Sequence, residues 1–91
     1  MQIPQANQLK YLTRRRSEII ELKESLIKGQ FDLALKIGHQ LKGNAATFGF
    51  PEFSEIGQGL EKAAQERDQS RAMEVIEKFD LMVEKNLKIM A

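Results

Sequence analysis

Cysteine is absent from the 91 residues and histidine occurs once. That removes disulfide frameworks, thiol nucleophiles and any zinc site built from Cys or paired His. No apolar run approaches the ~20 residues that span a bilayer. Met1-Gln2-Ile3-Pro4 offers neither a basic n-region nor a hydrophobic h-region, so neither membrane insertion nor signal-directed secretion is expected, and a reducing cytoplasm fits. Prolines are few, Pro4 and Pro51, in a chain dense in Leu, Ile, Lys, Glu, Gln and Ala, which favour helix over strand. The net charge is only +1, too little for a typical duplex-binding protein, so no nucleic-acid partner is expected. The charge is unevenly spread: residues 1–50 sum to +4 and residues 51–91 to −3, which prefers an acidic partner near the N-terminal elements.

At 10.4 kDa, with 42% hydrophobic and 30% charged residues, the chain suffices for one core, so residues 1–91 are expected to form one domain. Four apolar stripes run along it at helical spacing. Leu9, Leu12, Ile19, Leu22 and Leu26 line a helix from about Asn7 to Lys28, which Gly29 ends. Ala34, Ile37, Gly38, Leu41, Ala45 and Phe48 carry a second helix to Gly49, a residue suited to a left-handed cap. Pro51 opens a third, which buries Phe53, Ile56, Leu60 and Ala63 or Ala64 before the polar stretch Gln65 to Ser70. Met73, Ile76, Phe79 or Asp80, Val83, Leu87 and Met90 mark a closing helix. Gly57 shares a face with Phe53 and is expected to admit a neighbouring helix closely, since glycine inside a helix otherwise costs about 1 kcal/mol against alanine. Short links between four amphipathic helices imply an all-α, antiparallel up-down four-helix bundle.

The stretch Ile37-Gly38-His39-Gln40-Leu41-Lys42-Gly43-Asn44-Ala45-Ala46-Thr47-Phe48-Gly49 carries the chemistry. At about 100° per residue, His39 falls roughly 150° from the core centre near Ala34, Leu41 and Ala45, and so faces solvent. Leu35, Lys36, Lys42, Gly43 and Ala46 share that outer face. Nothing in self-packing requires an exposed glycine at 43, whereas close approach of a partner would. Gly43 and Ala46 clear space over the ring, and Leu35 adds apolar contact area. An imidazole that is partly neutral at physiological pH is a nucleophile, and Lys42, with Lys36, can stabilise an added phosphoryl group. No metal-binding carboxylate pair, P-loop glycine pattern or base beside a serine accompanies it, so no self-contained enzyme is expected.

His39-Gln40-Leu41-Lys42-Gly43-Asn44-Ala45-Ala46, with Phe48-Gly49 and the later Leu60-Glu61, resembles the signature of histidine-containing phosphotransfer (HPt) domains. The resemblance implies that His39 is phosphorylated at Nε2, that Lys42 contacts the phosphoryl group, that Gly43 leaves room and that Gly49 ends the helix. It implies a carrier with no cofactor of its own, partnered by response-regulator receiver domains, which bring the Mg²⁺, or by a histidine kinase. Two positions depart from the family pattern. Gln30 stands where many members have a capping Asp, with Asp32 able to cap only at a shifted start, and Gly38 replaces a common alanine, loosening the helix or tightening its packing.

Other readings are weaker. Arg14-Arg15-Arg16 point in different directions around a helix without an aromatic platform, and read as a solvated face that could help hold an acidic receiver. Met73, Met82 and Met90 read as core filling. Gly57-Gln58-Gly59 follows no strand and is not a dinucleotide loop. A histidine-kinase dimerisation domain would carry an acidic residue after its histidine and a proline a few positions on, where Gln40 and Asn44 stand. A helical adaptor with a decayed motif is the surviving alternative to a monomeric cytoplasmic carrier.

Overall fold

The computed structural model describes residues 3–90. Met1, Gln2 and Ala91, which the expected domain span includes, lie outside the described residues. Four helices follow one another: α1 (Gln5–Ile27), α2 (Asp32–Asn44), α3 (Glu52–Gln65) and α4 (Gln69–Met90), with a single 3₁₀ turn at Ala46–Phe48. No strand occurs among the described residues, so the chain is all-α as expected. Contacts between the helices run in opposed register. Gln5 near the start of α1 reaches the Met90 carbonyl at the end of α4, and Lys23 near the end of α1 pairs with Asp80 at 3.0 Å. Tyr11 reaches Asn44, and His39 and Lys42 reach Glu61. Helices of 22–23 residues are about 34 Å long at 1.5 Å per residue, which accounts for the 37 Å long axis.

The helix ends follow local chemistry. Gly29 and Gly49 take φ of +74° and +90°, the left-handed region open to glycine, at the two stops the sequence marks. The second helix ends sooner than its apolar stripe. After Asn44 the amides of Phe48 and Gly49 bond three residues back, to Ala45 and Ala46, so the chain tightens and turns Phe48 onto Tyr11. At its start Phe31 holds the cap position and no side chain caps it. Asp32 does not take over from Gln30; it sits in the first turn, where its charge suits the helix dipole. The break between α3 and α4 is only Glu66–Asp68. Asp68 accepts the Arg71 amide at 3.1 Å, which lets Gln69 and Ser70 enter α4.

Leu12, Leu22, Ile37, Leu41, Phe53, Leu60, Ile76, Phe79 and Val83 are fully buried, and Met73, Met82 and Met90 pack at the edge of this core. Tyr11, Phe48, Phe50, Phe53 and Phe79 form a chain of rings, with neighbouring centroids 4.4 to 5.8 Å apart. The expectation that all three consecutive arginines are solvated fails at Arg15. It is 2% exposed, lies 4.8 Å above the Tyr11 ring and donates from Nη1 to Glu18 at 2.5 Å, while its Nε has no partner. Position 15 is in phase with Leu12, Ile19 and Leu22, so the helical period draws it inward and the Tyr11 face and Glu18 carboxylate accommodate the charge.

Candidate functional site

α2 and α3 pack more closely than any other pair of helices, and glycine is the reason. Gly38 and Gly57 are both buried at the crossing. A Cβ on Gly57 would stand 2.6 Å from the Gly38 carbonyl oxygen, so no side chain separates the two backbones. Of the two effects open to Gly38, tighter packing is the one realised, and Gly57 admits its neighbour as expected.

On the outer side of this crossing His39 projects with 75% of its side chain exposed. Its Nδ1 lies 2.9 Å from Glu61 Oε2, and Lys42 Nζ donates to Glu61 Oε1, also at 2.9 Å. One carboxylate, itself only 14% exposed, thus bridges the imidazole and the ammonium. The hydrogen bond from Lys42, and then that from His39, hold the Glu61 carboxyl below its ordinary range. An ionised carboxylate only accepts, so the proton of this contact belongs to Nδ1, and in the neutral ring Nε2 keeps a free lone pair.

Leu35 and Lys36, one turn before His39, border an open depression of about 580 Å³ completed by Asp32, Gln40, Glu61 and Gln65. Leu35 is 39% exposed, less than Ile20, Ile27, Leu81 or Ile89. Gly43 and Ala46 lie on the other side of His39, outside this depression. Both are exposed, and a Cβ on Gly43 would meet nothing within 4 Å. The expected docking residues therefore flank the histidine on two sides and do not line one pocket.

Glu61 is the residue that reading along the chain left without a role. Leu60-Glu61 entered only as part of the family resemblance, with no role attached, and the one positional signal is that Glu61 stands four residues after Gly57 on α3. Among the described residues no group of three or more His, Asp or Glu side chains could hold a metal ion, and no helix is long and apolar enough to cross a membrane.

No curated protein and no solved structure matches the chain at a significant level. Residues 10–86 do match the family model of the Hpt domain, a span that takes in α2 and α3 whole and most of α1 and α4. With the match covering most of the chain and its histidine standing out from the second helix of a helical bundle, the chain belongs to the Hpt domain family, histidine phosphocarriers of phosphorelays.

Proposed function

We propose that His39 Nε2 accepts a phosphoryl group from the aspartyl phosphate of a response-regulator receiver domain, or from a histidine kinase, and returns it to a receiver aspartate. The observation that carries this reading is the division of labour on the ring: Nδ1 is engaged by Glu61, and Nε2 is left free on a largely exposed side chain.

The step balances without an added base. The Nε2 lone pair forms the bond to phosphorus as the bond to the aspartate oxygen breaks, and the electron pair leaves with that carboxylate. The ring keeps its Nδ1 proton and becomes a phosphoimidazolium, whose positive charge faces the Glu61 carboxylate. Lys42, one turn along α2 and half exposed, supplies the opposite charge for the new dianion. Reversal needs only a second acceptor, because the ring has remained protonated and is still a good leaving group. Positioning and electrostatic neutralisation do the work, and the chain needs no nucleotide site or enzymatic machinery of its own. Mg²⁺ and the acidic pocket are expected from the receiver.

Leu35 and Lys36 before the histidine, and Gly43 and Ala46 after it, form the proposed docking face, extended by part of α1. Open space over Gly43 supports it. A carrier that must leave one partner for the next needs a modest interface, and we place it as a monomer in the cytoplasm.

The test offers a phosphorylated receiver domain or a kinase and measures acid-labile, alkali-stable label on the chain. His39→Gln is expected to abolish the label and leave the helical circular dichroism unchanged. Label persisting on that variant overturns the assignment. A target bound equally well with and without His39, and with no label in either case, would instead mark a helical adaptor.

A further inference from the structure

The glycine crossing lies directly behind the site, and the atoms it brings together belong to the residues that bracket His39. A Cβ on Gly38 would stand 2.7 Å from the Glu61 backbone nitrogen and 3.1 Å from the Glu61 Cα. A Cβ on Gly57 would stand 2.5 Å from the Lys42 backbone nitrogen and 2.7 Å from the Leu41 Cβ. Each glycine therefore seats a site residue of the opposite helix: Gly38 receives the backbone of Glu61, and Gly57 that of Lys42. We infer that Gly38 and Gly57 are positioning residues for His39, because their backbone contact fixes the depth at which α3 presents the Glu61 carboxylate to Nδ1 and to Lys42.

The geometry leaves little tolerance. Real Cβ contacts essentially never fall below 3.0 Å, and the atoms met at Gly38 are helix backbone, which cannot swing aside. Relieving a 2.7 Å contact to ordinary van der Waals separation moves α3 outward by roughly 0.7 Å. Both Glu61 bonds are 2.9 Å long, and the part of that displacement that falls along them lengthens them toward, and in full past, the ~3.2 Å at which N–H···O bonds are normally made. A carboxylate held at only one oxygen could re-aim. Glu61 is held at both, so regaining one partner by rotation draws it from the other. Glycine on both helices is what allows one carboxylate to serve the imidazole and the ammonium together.

This inference concerns the same site as the phosphocarrier reading, and it is tested without phosphoryl transfer. The probe is the full chain labelled with ¹⁵N and ¹³C, the readouts being the imidazole nitrogen shifts, which report the tautomer, and the titration midpoint of the Glu61 carboxyl carbon. The wild type is expected to hold the Nδ1–H tautomer, with the Glu61 midpoint below that of an ordinary carboxyl. Gly38→Ala should lose the tautomer bias, as Glu61→Ala should, and move the Glu61 midpoint upward. Combining the two substitutions should change the tautomer no further. Val83→Ala, in the core of α4, should lower the melting temperature and leave the imidazole signals in place, separating site geometry from general loss of stability. A folded Gly38→Ala chain that keeps both the tautomer and the low midpoint overturns the inference.

Should Gly38→Ala not fold, Glu61→Asp tests the same distance from the other side. It withdraws the carboxylate by about one bond length with the crossing intact. A rigid crossing cannot follow, so the bias is expected to vanish; its retention would show that α3 is free to move in and would overturn the inference. In a phosphoryl-transfer assay Gly38→Ala should be slower on the order of tenfold. Absence of label on a wild-type chain whose tautomer bias is intact counts against the phosphocarrier reading alone.

Discussion

Alanine substitutions two residues apart in α3 should act in opposite directions. In an unconstrained helix each Gly→Ala change gains about 1 kcal/mol from propensity and reduced unfolded-state entropy. At Gly59 the new methyl would find Val75 Cγ2 at 3.6 Å, an ordinary contact, so most of the gain should be realised. At Gly57 it would meet two backbone atoms of α2 at 2.5 and 2.6 Å, and neither can rotate away. Forcing a methyl into such a place costs typically 1–3 kcal/mol and more where backbone must shift, so the net effect is a loss of about 1–2 kcal/mol. For a domain of this size each kcal/mol moves Tm by roughly 4–8 °C. Gly57→Ala should therefore melt roughly 5–15 °C below the wild type, and Gly59→Ala a few degrees above it. Thermal circular dichroism gives both values, and urea titration with an unchanged m-value confirms that stability and not compactness has moved. Equal stabilisation by both substitutions would refute the backbone contact between α2 and α3.

Three further outcomes follow from the site and from the ring chain that Tyr11 joins. Lys42→Ala should slow phosphoryl transfer about tenfold or more and shift Tm by only a few degrees, since Lys42 is half exposed and solvent screens its pair with Glu61; a large loss of stability would make Lys42 structural. Because the Glu61 carboxyl lies below its ordinary value of 4.5, its stabilising contribution is complete above that pH and is lost as pH falls through the folded-state value. The Tm gap between the wild type and Glu61→Gln should then close in acid, and a gap constant down to about pH 2 refutes the bridge. Burial raises the Tyr11 phenol above 10.0, so the unfolded chain loses that proton first and stability falls as pH rises past 10.0; Tyr11→Phe should flatten this alkaline slope, visible in melts between about pH 9 and pH 11.

The bundle was legible because its information is local. Each helix carries its own apolar stripe, and two of the three stops are glycines whose positive φ the structure realises. The third stop, between α3 and α4, is turned by Arg67 at φ +54°, and an arginine announces no turn. Its guanidinium lies 5.0 Å from the Phe31 ring, a partner 36 positions away that no local pattern reveals. Arg15 is the reverse case. Its phase with Leu12 and Ile19 places it on the core face, but three arginines in a row read as surface by composition. Periodicity was the better guide, because a helix carries position 15 inward whatever residue stands there, and Tyr11 and Glu18, one turn either side, supply a ring face and a carboxylate.

The same division runs through the site. His39, Lys42 and Gly43 lie on one turn of one helix, so their spacing alone puts them on a common face. Glu61 is 22 residues away, and its contact with His39 depends on how α3 is registered and how deeply it sits against α2. Period and propensity specify neither quantity. Both are set where side chains are missing, at Gly38 and Gly57, and a residue four positions beyond a packing glycine is carried to the same face one turn along. A buried glycine on each of two adjacent helices therefore carries tertiary information that an apolar stripe does not. It names the crossing point, and the polar residues one turn from that point are the ones able to meet across it. Applied here, that rule takes Lys42, four positions beyond Gly38 on α2, and finds Glu61, four beyond Gly57 on α3, with His39 standing beside them.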